Sequence, residues 1–487
     1  MRACLPLATT FTCLFGIFAQ PTRATADESR PNIVLMMADD LGWGDLHYMG
    51  NKDIRTPHLD AMAAGGLRFN RFYAAAPVCS PTRGSAITGR HPFRYGVFFA
   101  NTGHMRPQEL TLAELLRENG YTTGHFGKWH LGTLTQTEPD ANRGGKPGNK
   151  QHFSPPWQNG FDVCCSTESK VPTWDPMQKP LKASRQWWDA LAEGAESKAY
   201  GTAYWSADKR VIENLEGDDS RIIMDRAIPF IREAVGNKKP FFTIVWFHTP
   251  HLPVVAGPKH AAMYSQFNGY KKNYLGCITA LDDQVGRLRA ELKSLGVAQD
   301  TMLWFCSDNG PEGNDTAPGS AGGLRGRKRS LFEGGVRVPG ILEWPARVSP
   351  GRTTDVAACT SDYLPTIVDV LGAKQLDARS IDGVSLLPLI AGTMKDRPAP
   401  IAFESGGQLA LSDNRYKLIH VPTRKKKKSE KNADEEKFQW MLFDLTQDPG
   451  EQHDLAADHP DVVQRMSRQL LQWRASCRQS LDGNDYP

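Results

Sequence analysis

The sequence predicts an α/β fold: a large, mostly parallel sheet sandwiched by helices, then a small antiparallel sheet with a terminal helix. Three observations predict it. Short apolar runs alternate with stretches of helical periodicity from residue 31 to about 344. From Pro400 the pattern changes to closely spaced short apolar runs. The 487 residues, with 40% hydrophobic and 23% charged side chains, suit an ordinary globular chain of roughly two or three domain equivalents, too long for one compact core.

The first 26 residues read as a cleaved export signal. Arg2 precedes an apolar, small-residue run from Leu5 to Ala19, and small residues at 24 and 26 suit signal peptidase. The run is interrupted by threonines and shorter than the roughly 20 residues a membrane anchor needs. The protein is therefore expected to be exported, periplasmic or secreted, with no membrane partner. A net charge of +4, from 58 basic and 54 acidic residues, gives no general reason to expect nucleic acid. Of nine cysteines, Cys4 and Cys13 leave with the signal; the odd number remaining leaves at least one thiol unpaired or modified.

Ile33 to Met37 reads as a buried strand ending at Ala38-Asp39-Asp40. Thr56 as N-cap, Pro57 at the first helical position and Gly65-Gly66 as the stop bracket a short helix around Leu59 and Met62. Leu112, Leu115 and Leu116 stripe the next helix, which stops at Asn119-Gly120 before a strand over Tyr121 to Phe126. Helix Arg221 to Val235 precedes strand Phe241 to Phe247, helix Tyr274 to Leu295 precedes strand Thr301 to Cys306, and a further strand covers Gly340 to Trp344. Ligands of such sheets sit at the carboxyl ends of the strands.

Between 133 and 207 the periodicity fails while Trp, Pro and Gly accumulate, as in an irregular insertion shaping a rim. The catalytic domain then spans 27–395 and an antiparallel subdomain 396–487, with strands near Ile401 to Phe403, Gln408 to Leu411, Tyr416 to Val421 and Trp440 to Leu445 and a helix after Pro460. Arg424-Lys425-Lys426-Lys427-Lys428 reads as a solvated hairpin loop, and there are no internal repeats.

Two clusters carry chemistry. Asp39-Asp40 and Asp308-Asn309 stand at the carboxyl ends of two strands, and four oxygen-bearing side chains suit a hard cation such as calcium or magnesium. Asp45, in Gly-Trp-Gly-Asp, reads as a turn residue. In Pro77-Val78-Cys79-Ser80-Pro81-Thr82-Arg83-Gly84 the prolines argue against a helical course through Cys79 until after Pro81, and Arg83 supplies a donor fork suited to an anion. Ser80 competes as nucleophile but lacks a Gly-x-Ser-x-Gly setting. Lys128 and His130, two apart, share a face if the segment is extended.

Cys79-Ser80-Pro81-Thr82-Arg83 resembles the Cys-x-Pro-x-Arg signature of the formylglycine-dependent sulfatases. The resemblance covers nearly the whole mature chain, through Pro31 to Gly42, Gly120 through Gly132, Pro250-His251-Leu252-Pro253, Asp308-Asn309-Gly310, Glu333 to Pro339 and Leu442 to Pro449. It is greatest to the group containing arylsulfatase A and N-acetylgalactosamine-6-sulfatase; Ala86 and Phe126 depart from the pattern at flanking positions. The resemblance implies an alkaline-phosphatase-like fold and a sulfuric ester hydrolase. It implies that a maturation enzyme oxidises Cys79 to formylglycine, whose hydrated diol attacks sulfur and then expels sulfate from a covalent sulfo-enzyme. It also implies one calcium ion on Asp39, Asp40, Asp308 and Asn309, with Arg83 and Lys128 supporting the formylglycine. By the same resemblance His130 takes a proton during sulfate release, His251 contacts the sulfate and the leaving oxygen, and Lys328, five before Glu333, is a general acid. His248 is left structural or rim-forming, and Arg325, Arg327 and Arg329 surface charges or loop anchors.

The substrate expected from export is a sulfated small molecule or polysaccharide, with Trp157, Trp174, Trp187 and Trp188 able to stack on sugars or to pack in the core. Two alternatives stand beside this reading. One is phosphoester hydrolysis on the same fold, for which serine or threonine is expected at position 79; the other is a noncatalytic binder of sulfated glycans. Cys164-Cys165 cannot easily pair with each other, Cys277 and Cys306 suit buried thiols, and pairings are not assignable from sequence.

Overall fold

Strand β1 (Asn32–Ala38) divides one apolar run between two faces. Ile33, Leu35 and Met37 enter one core cluster and Val34, Met36 and Ala38 the other, because successive side chains of a strand point to opposite sides. The computed structural model describes residues 1, 30–373, 379–422 and 439–486. The expected signal over 1–26, Met1 apart, and the basic run Arg424 to Lys428 lie outside the described residues. From Pro31 the chain forms one compact unit.

Helix α1 (Pro57–Gly65) begins at Pro57 as expected, although Thr56 does not cap it: its Oγ1 accepts from His47 N at 3.1 Å. Strand β2 (Leu67–Tyr73) leads to helix α2 (Cys79–Thr88). Helix α3 (Leu112–Glu118), opened by a Thr111/Glu114 capping box, leads to strand β3 (Thr122–Lys128). Strand β4 (Val163–Thr167) then pairs in parallel with β3, inside the stretch expected to be irregular. Cys164-Cys165-Ser166-Thr167 has no apolar alternation, so its neighbours in the sheet make it a strand. The rest of that stretch holds a ribbon of β5 (Gln178–Pro180) and β6 (Ser197–Ala199), then β7 (Tyr204–Ser206); β8 (Lys209–Arg210) follows.

Helix α4 (Asp219–Gly236) and strand β9 (Phe241–Trp246) resume the alternation, followed by α5 (Pro258–Ala262), α6 (Gly269–Ser294) and strand β10 (Thr301–Ser307). The one-turn helix α7 (Glu333–Val336) runs into β11 (Arg337–Glu343), and β12 (Arg352–Thr354), β13 (Ala358–Cys359), α8 (Tyr363–Val370) and α9 (Leu387–Ile390) complete this part. Among the described residues the large sheet has eleven strands in the order β12-β2-β11-β10-β1-β9-β3-β4-β7-β8, with β13 beside β2. Its centre, β10-β1-β9-β3-β4, is parallel, but β11 is antiparallel to both β10 and β2, so the sheet is mixed. Residues of α1, α4 and α6 fill the core on one face; residues of α2, α3 and α8 fill it on the other. The parallel centre brings the carboxyl ends of β1, β3, β4, β9 and β10 to one edge.

Strands β14 (Ile401–Ser405), β15 (Gln408–Ser412), β16 (Tyr416–His420) and β17 (Trp440–Asp444) form the expected antiparallel meander, and α10 (Pro460–Leu481) ends it. Period-two alternation again splits the side chains: Leu409, Leu411, Leu418 and Leu442 cluster with Met466 and Leu470 of α10, whereas Ala410, Ile419 and Phe443 cluster with Tyr73, Leu331 and Phe332.

Candidate active site

The ends of β1 and β10 are tied together. Asp308 N donates to Ala38 O at 3.1 Å, Asp40 N to Asp308 Oδ1 at 3.0 Å and Leu41 N to Ser307 Oγ at 3.0 Å. Asp40 turns the chain in the left-handed region, with φ of 69°. Asn309 Nδ2 donates to Asp40 Oδ1 at 2.7 Å, and Gly310 follows where a Cβ would meet Gly334 O at 1.9 Å. Oxygens of Asp39 and Asp308 and the Cys79 sulfur lie within 4.8 Å of one another, as do oxygens of Asp39 and Asp40 and a ring nitrogen of His251. Asp39 Oδ1 and Asn309 Oδ1 are buried with no hydrogen-bond partner.

Helix α2 begins at Cys79, which corrects the expectation that Pro81 delays the helix. Pro81 occupies the third helical position, where a backbone N–H has no intrahelical acceptor to lose. Thr82 Oγ1 fastens the turn by donating to Ala76 O at 2.9 Å while accepting from Ala76 N at 3.2 Å. Cys79 is 1% exposed, and burial raises its thiol pKa despite Lys128 and Lys328 nearby. An unmodified Cys79 is therefore a protonated thiol and a poor nucleophile. Ser80 Oγ is buried without a partner, so no base activates it.

The cations are answered by carboxylates. Arg83 Nε and Nη2 both donate to Asp308 Oδ2, at 3.1 and 2.6 Å, and its guanidinium lies 5.2 Å from the Trp246 ring centre. The fork read as suited to an anion is thus occupied by a carboxylate of the chain itself. Lys128 Nζ lies 2.7 Å from Asp39 Oδ2. Lys328 Nζ lies 2.6 Å from Asp40 Oδ1 and 3.2 Å from Glu312 Oε2. Burial pushes the Asp308 carboxyl up to about 7, aided by the charge of Asp39 and opposed by Arg83 and Lys128. Burial would raise Asp39 as well, but Lys128, His251, Arg83 and Lys328 hold it well below the usual carboxylate range. Crowded buried carboxylates with two bare oxygens fit a hard divalent cation.

Strand β3 stops at Lys128, and His130 sits in the left-handed region with φ of 60°, so the segment is not extended as expected. His130 Nε2 lies 3.0 Å from Asn101 Oδ1, which also accepts from Asn142 Nδ2 at 3.2 Å. That oxygen places the imidazole hydrogen on Nε2 and leaves the buried, unpartnered Nδ1 with a free lone pair. Burial, then the charges of Lys128 and Arg83, holds His130 well below the usual histidine pKa, in its neutral form. His251 Nδ1 donates to Leu252 O at 2.7 Å and its Nε2 stands 3.6 Å from Asp40 Oδ2. Burial lowers its pKa to about 3, against the attraction of Asp40 and Asp39. His248 is structural and not at the rim: it is buried, with Nδ1 2.7 Å from Asp219 Oδ2 and Nε2 2.7 Å from Thr167 Oγ1.

Every site residue expected from sequence thus lies at one edge of the sheet. Asn101 and Glu312 were not legible there, since neither belongs to a motif. Asp45 is more than a turn residue, because its buried carboxylate accepts from Gly42 N, Ser320 N and Tyr274 Oη. Arg325 and Arg327 are loop anchors, donating to Glu451 O and to Glu312 O and Gly319 O. The seven described cysteines are buried and unpaired. Trp157 and Trp187 pack against the two cores while remaining half-buried.

The family profile described as Sulfatase matches residues 31–373, and the one described as N-sulphoglucosamine sulphohydrolase, C-terminal, matches residues 326–476. Arylsulfatase A of Bos taurus is 33% identical over 474 residues, covering 92% of this chain and 87% of its own. N-acetylgalactosamine-6-sulfatase of Rattus norvegicus is 30% identical over 491 residues, covering 92% and 86%. The solved structure of Ps i-CgsB in complex with k-i-k-neocarrahexaose superposes with a TM-score of 0.75 at 27% identity, covering 93% of this chain and 94% of that one.

Proposed function

The chain belongs to the sulfatase family, and we propose that it cleaves the sulfate ester of a sulfated carbohydrate or an aryl sulfate, with Cys79 matured to formylglycine as its nucleophile. It is a sulfuric ester hydrolase on an alkaline-phosphatase-like fold. The carbohydrate reading is supported by relatives named for N-acetylgalactosamine-6-sulfate and by Ps i-CgsB, solved with k-i-k-neocarrahexaose. In this reading the protein is exported and matured by a formylglycine-generating enzyme; residues 1–26 are its signal, 27–395 its catalytic domain and 396–487 a C-terminal subdomain. Among the described residues no helix is long and apolar enough to cross a membrane.

Formylglycine, hydrated to a diol, supplies a nucleophilic oxygen and a second hydroxyl, and one calcium ion on Asp39, Asp40, Asp308 and Asn309 supplies positive charge beside them. The chain's own residues do the rest. Cys79 is the first residue of α2, whose N-terminal partial charge favours negative charge at that side chain by about 0.3–1 kcal/mol. Arg83 and Lys128 orient Asp308 and Asp39 through the ion pairs described above, acting on the reacting position from behind. The bare Nδ1 of neutral His130 accepts the proton given up when sulfate is released. Burial alone would lower the Lys328 pKa, but Asp40, with Asp39 and Glu312, raises it, so its ammonium stays charged and holds a proton for the departing oxygen. His251 is anchored through Nδ1 on Leu252 O with Nε2 3.6 Å from Asp40 Oδ2, and in this reading its ring borders the sulfate.

The observation that carries this reading is the set of buried polar atoms left without partners around Cys79: Asp39 Oδ1, Asn309 Oδ1 and His130 Nδ1. Peptide mass mapping of protein co-expressed with a maturation enzyme, alongside direct measurement of released sulfate, tests it. Conversion of Cys79 with sulfate release is expected, and Cys79→Ala should lower turnover at least about 10³-fold while keeping the fold. A persistent thiol, or full activity in Cys79→Ala, would refute the nucleophile. Faster release of phosphate than of sulfate from matched esters would favour the phosphoester reading.

A further inference from the structure

Each ammonium or guanidinium described so far at the pocket is matched within the chain: Arg83 by Asp308, Lys128 by Asp39, Lys328 by Asp40 and Glu312. Lys170 is different. It follows β4, whose Thr167 is in register with Lys128 on β3. The backbone around it is clamped. Thr167 Oγ1 donates to Ser169 O at 2.7 Å, Ser169 and Val171 are buried, and Thr173 Oγ1 donates to Val255 O and accepts from Val255 N, both at 2.8 Å. The half-buried Lys170 side chain has no carboxylate partner among the described residues. Its pKa is lowered, first by burial and then by the like charges of Lys128 and Lys328, which the attraction of Asp40 and Asp39 does not offset. A lysine held beside two other ammonium groups without a counterion is an anion site awaiting its anion.

We infer that Lys170 is a specificity residue that binds a second negatively charged group of the substrate, so that the preferred substrate is a sulfated carbohydrate bearing a further sulfate or a carboxylate. Two features separate this group from the scissile sulfate. Cys79 and Lys128 are almost fully buried whereas Lys170 is half-buried and open to solvent, next to Ser169, whose Oγ accepts from the Asn142 amide that also donates to the Asn101 oxygen on His130. Its ammonium is also not among the three cations ion-paired at the reacting position. The inference rests on the sulfate-ester reading for what the pocket holds, but its test does not depend on turnover.

The test is titration calorimetry of Cys79→Ala protein, with Lys170 intact or replaced as Lys170→Gln or Lys170→Arg. The ligands are a hexose monosulfate, the matching disulfate and a monosulfated disaccharide containing a uronate. Preference for at least one dianionic ligand over the monosulfate is expected to fall about tenfold or more in Lys170→Gln and to be largely kept in Lys170→Arg. The ligand whose preference falls tells a second sulfate from a carboxylate. An unchanged preference, whether because all ligands weaken equally or because none does, overturns the inference. Sulfate release by the Cys79 protein is measured separately, so its absence beside Lys170-dependent binding would count against the catalytic reading alone.

Discussion

Two buried charge clusters of similar make-up lie in this protein. One is the pocket at the carboxyl edge of the large sheet. The other joins that sheet to the C-terminal meander, where Lys417 Nζ lies 2.8 Å from Glu333 Oε1 and 3.2 Å from Glu451 Oε1. Tyr73 Oη donates to Glu333 Oε2 at 2.9 Å, Arg337 Nη1 donates to the same oxygen at 3.4 Å, and Glu451 Oε2 accepts from Glu333 N at 2.6 Å. Both contain carboxylates and cations removed from water, so neither burial nor composition tells them apart. What differs is closure. Both Glu333 oxygens are engaged by donors or cations and Glu451 Oε1, though without a hydrogen bond, still faces the Lys417 ammonium at 3.2 Å, whereas the pocket leaves Asp39 Oδ1, Asn309 Oδ1 and His130 Nδ1 bare. A buried polar atom without a partner is costly, and several of them converging beside crowded carboxylates suit a bound ligand.

The contrast can be broken most decisively at the open cluster. If the proposed calcium is bound there, Asp39→Asn is expected to lose it by elemental analysis and to lower turnover by at least about a hundredfold. Full calcium content with normal turnover would remove the distinction. At the closed cluster, Lys417→Ala leaves Glu333 and Glu451 facing each other without their cation. Unfolding in urea should show a loss of about 3–5 kcal/mol, with turnover per folded molecule unchanged. A loss of stability near zero would mean that closure there contributes nothing.

A buried histidine outside both clusters sharpens the electrostatics. Burial lowers His91 to about 4, so between about pH 6.5 and 4 the unfolded chain binds a proton that the folded chain does not. Stability should therefore fall as pH drops through that window, by about 3 kcal/mol from this group, and His91→Gln should flatten the slope. The smallest effect is expected at Asn101, a positioning residue acting through His130. Asn101→Ala should lower kcat about tenfold by freeing the imidazole. Asn101→Asp places a carboxylate on Nε2, which raises the His130 pKa and should move the acid limb of the kcat–pH profile to higher pH. An unmoved limb would show that His130 is not the base.

Much of this was legible in the chain. The alternation of apolar runs located β1, β3, β9 and β10 and the helices between them, because burial on both faces demands continuous apolar strands. Motif chemistry pointed to Asp39, Asp40, Cys79, Asp308 and Asn309, which the fold brings together. Elsewhere tertiary context outweighs the local rule. Pro81 argues for a delayed helix, yet α2 begins at Cys79, since the first turn needs no N–H from position three. Cys164 to Thr167 lack a strand pattern yet pair with β3, because the sheet supplies the partners. The strand ending at Glu343 was located, but its antiparallel direction was not, since direction depends on how the chain returns to the sheet.

The sequence by itself determined the fold class, the order of the elements and the residue types of the site, because these follow from side-chain periodicity and from chemistry confined to short segments. Only the tertiary structure decided which polar atoms are satisfied and which are left bare. It turned Arg83 onto Asp308, set Asn101 against His130 and brought the carboxyl end of β4, which Lys170 follows, alongside that of β3. Such partnerships join residues tens to hundreds of positions apart, and hydrogen bonds and charge balance are settled by distances in space that no spacing along the chain encodes.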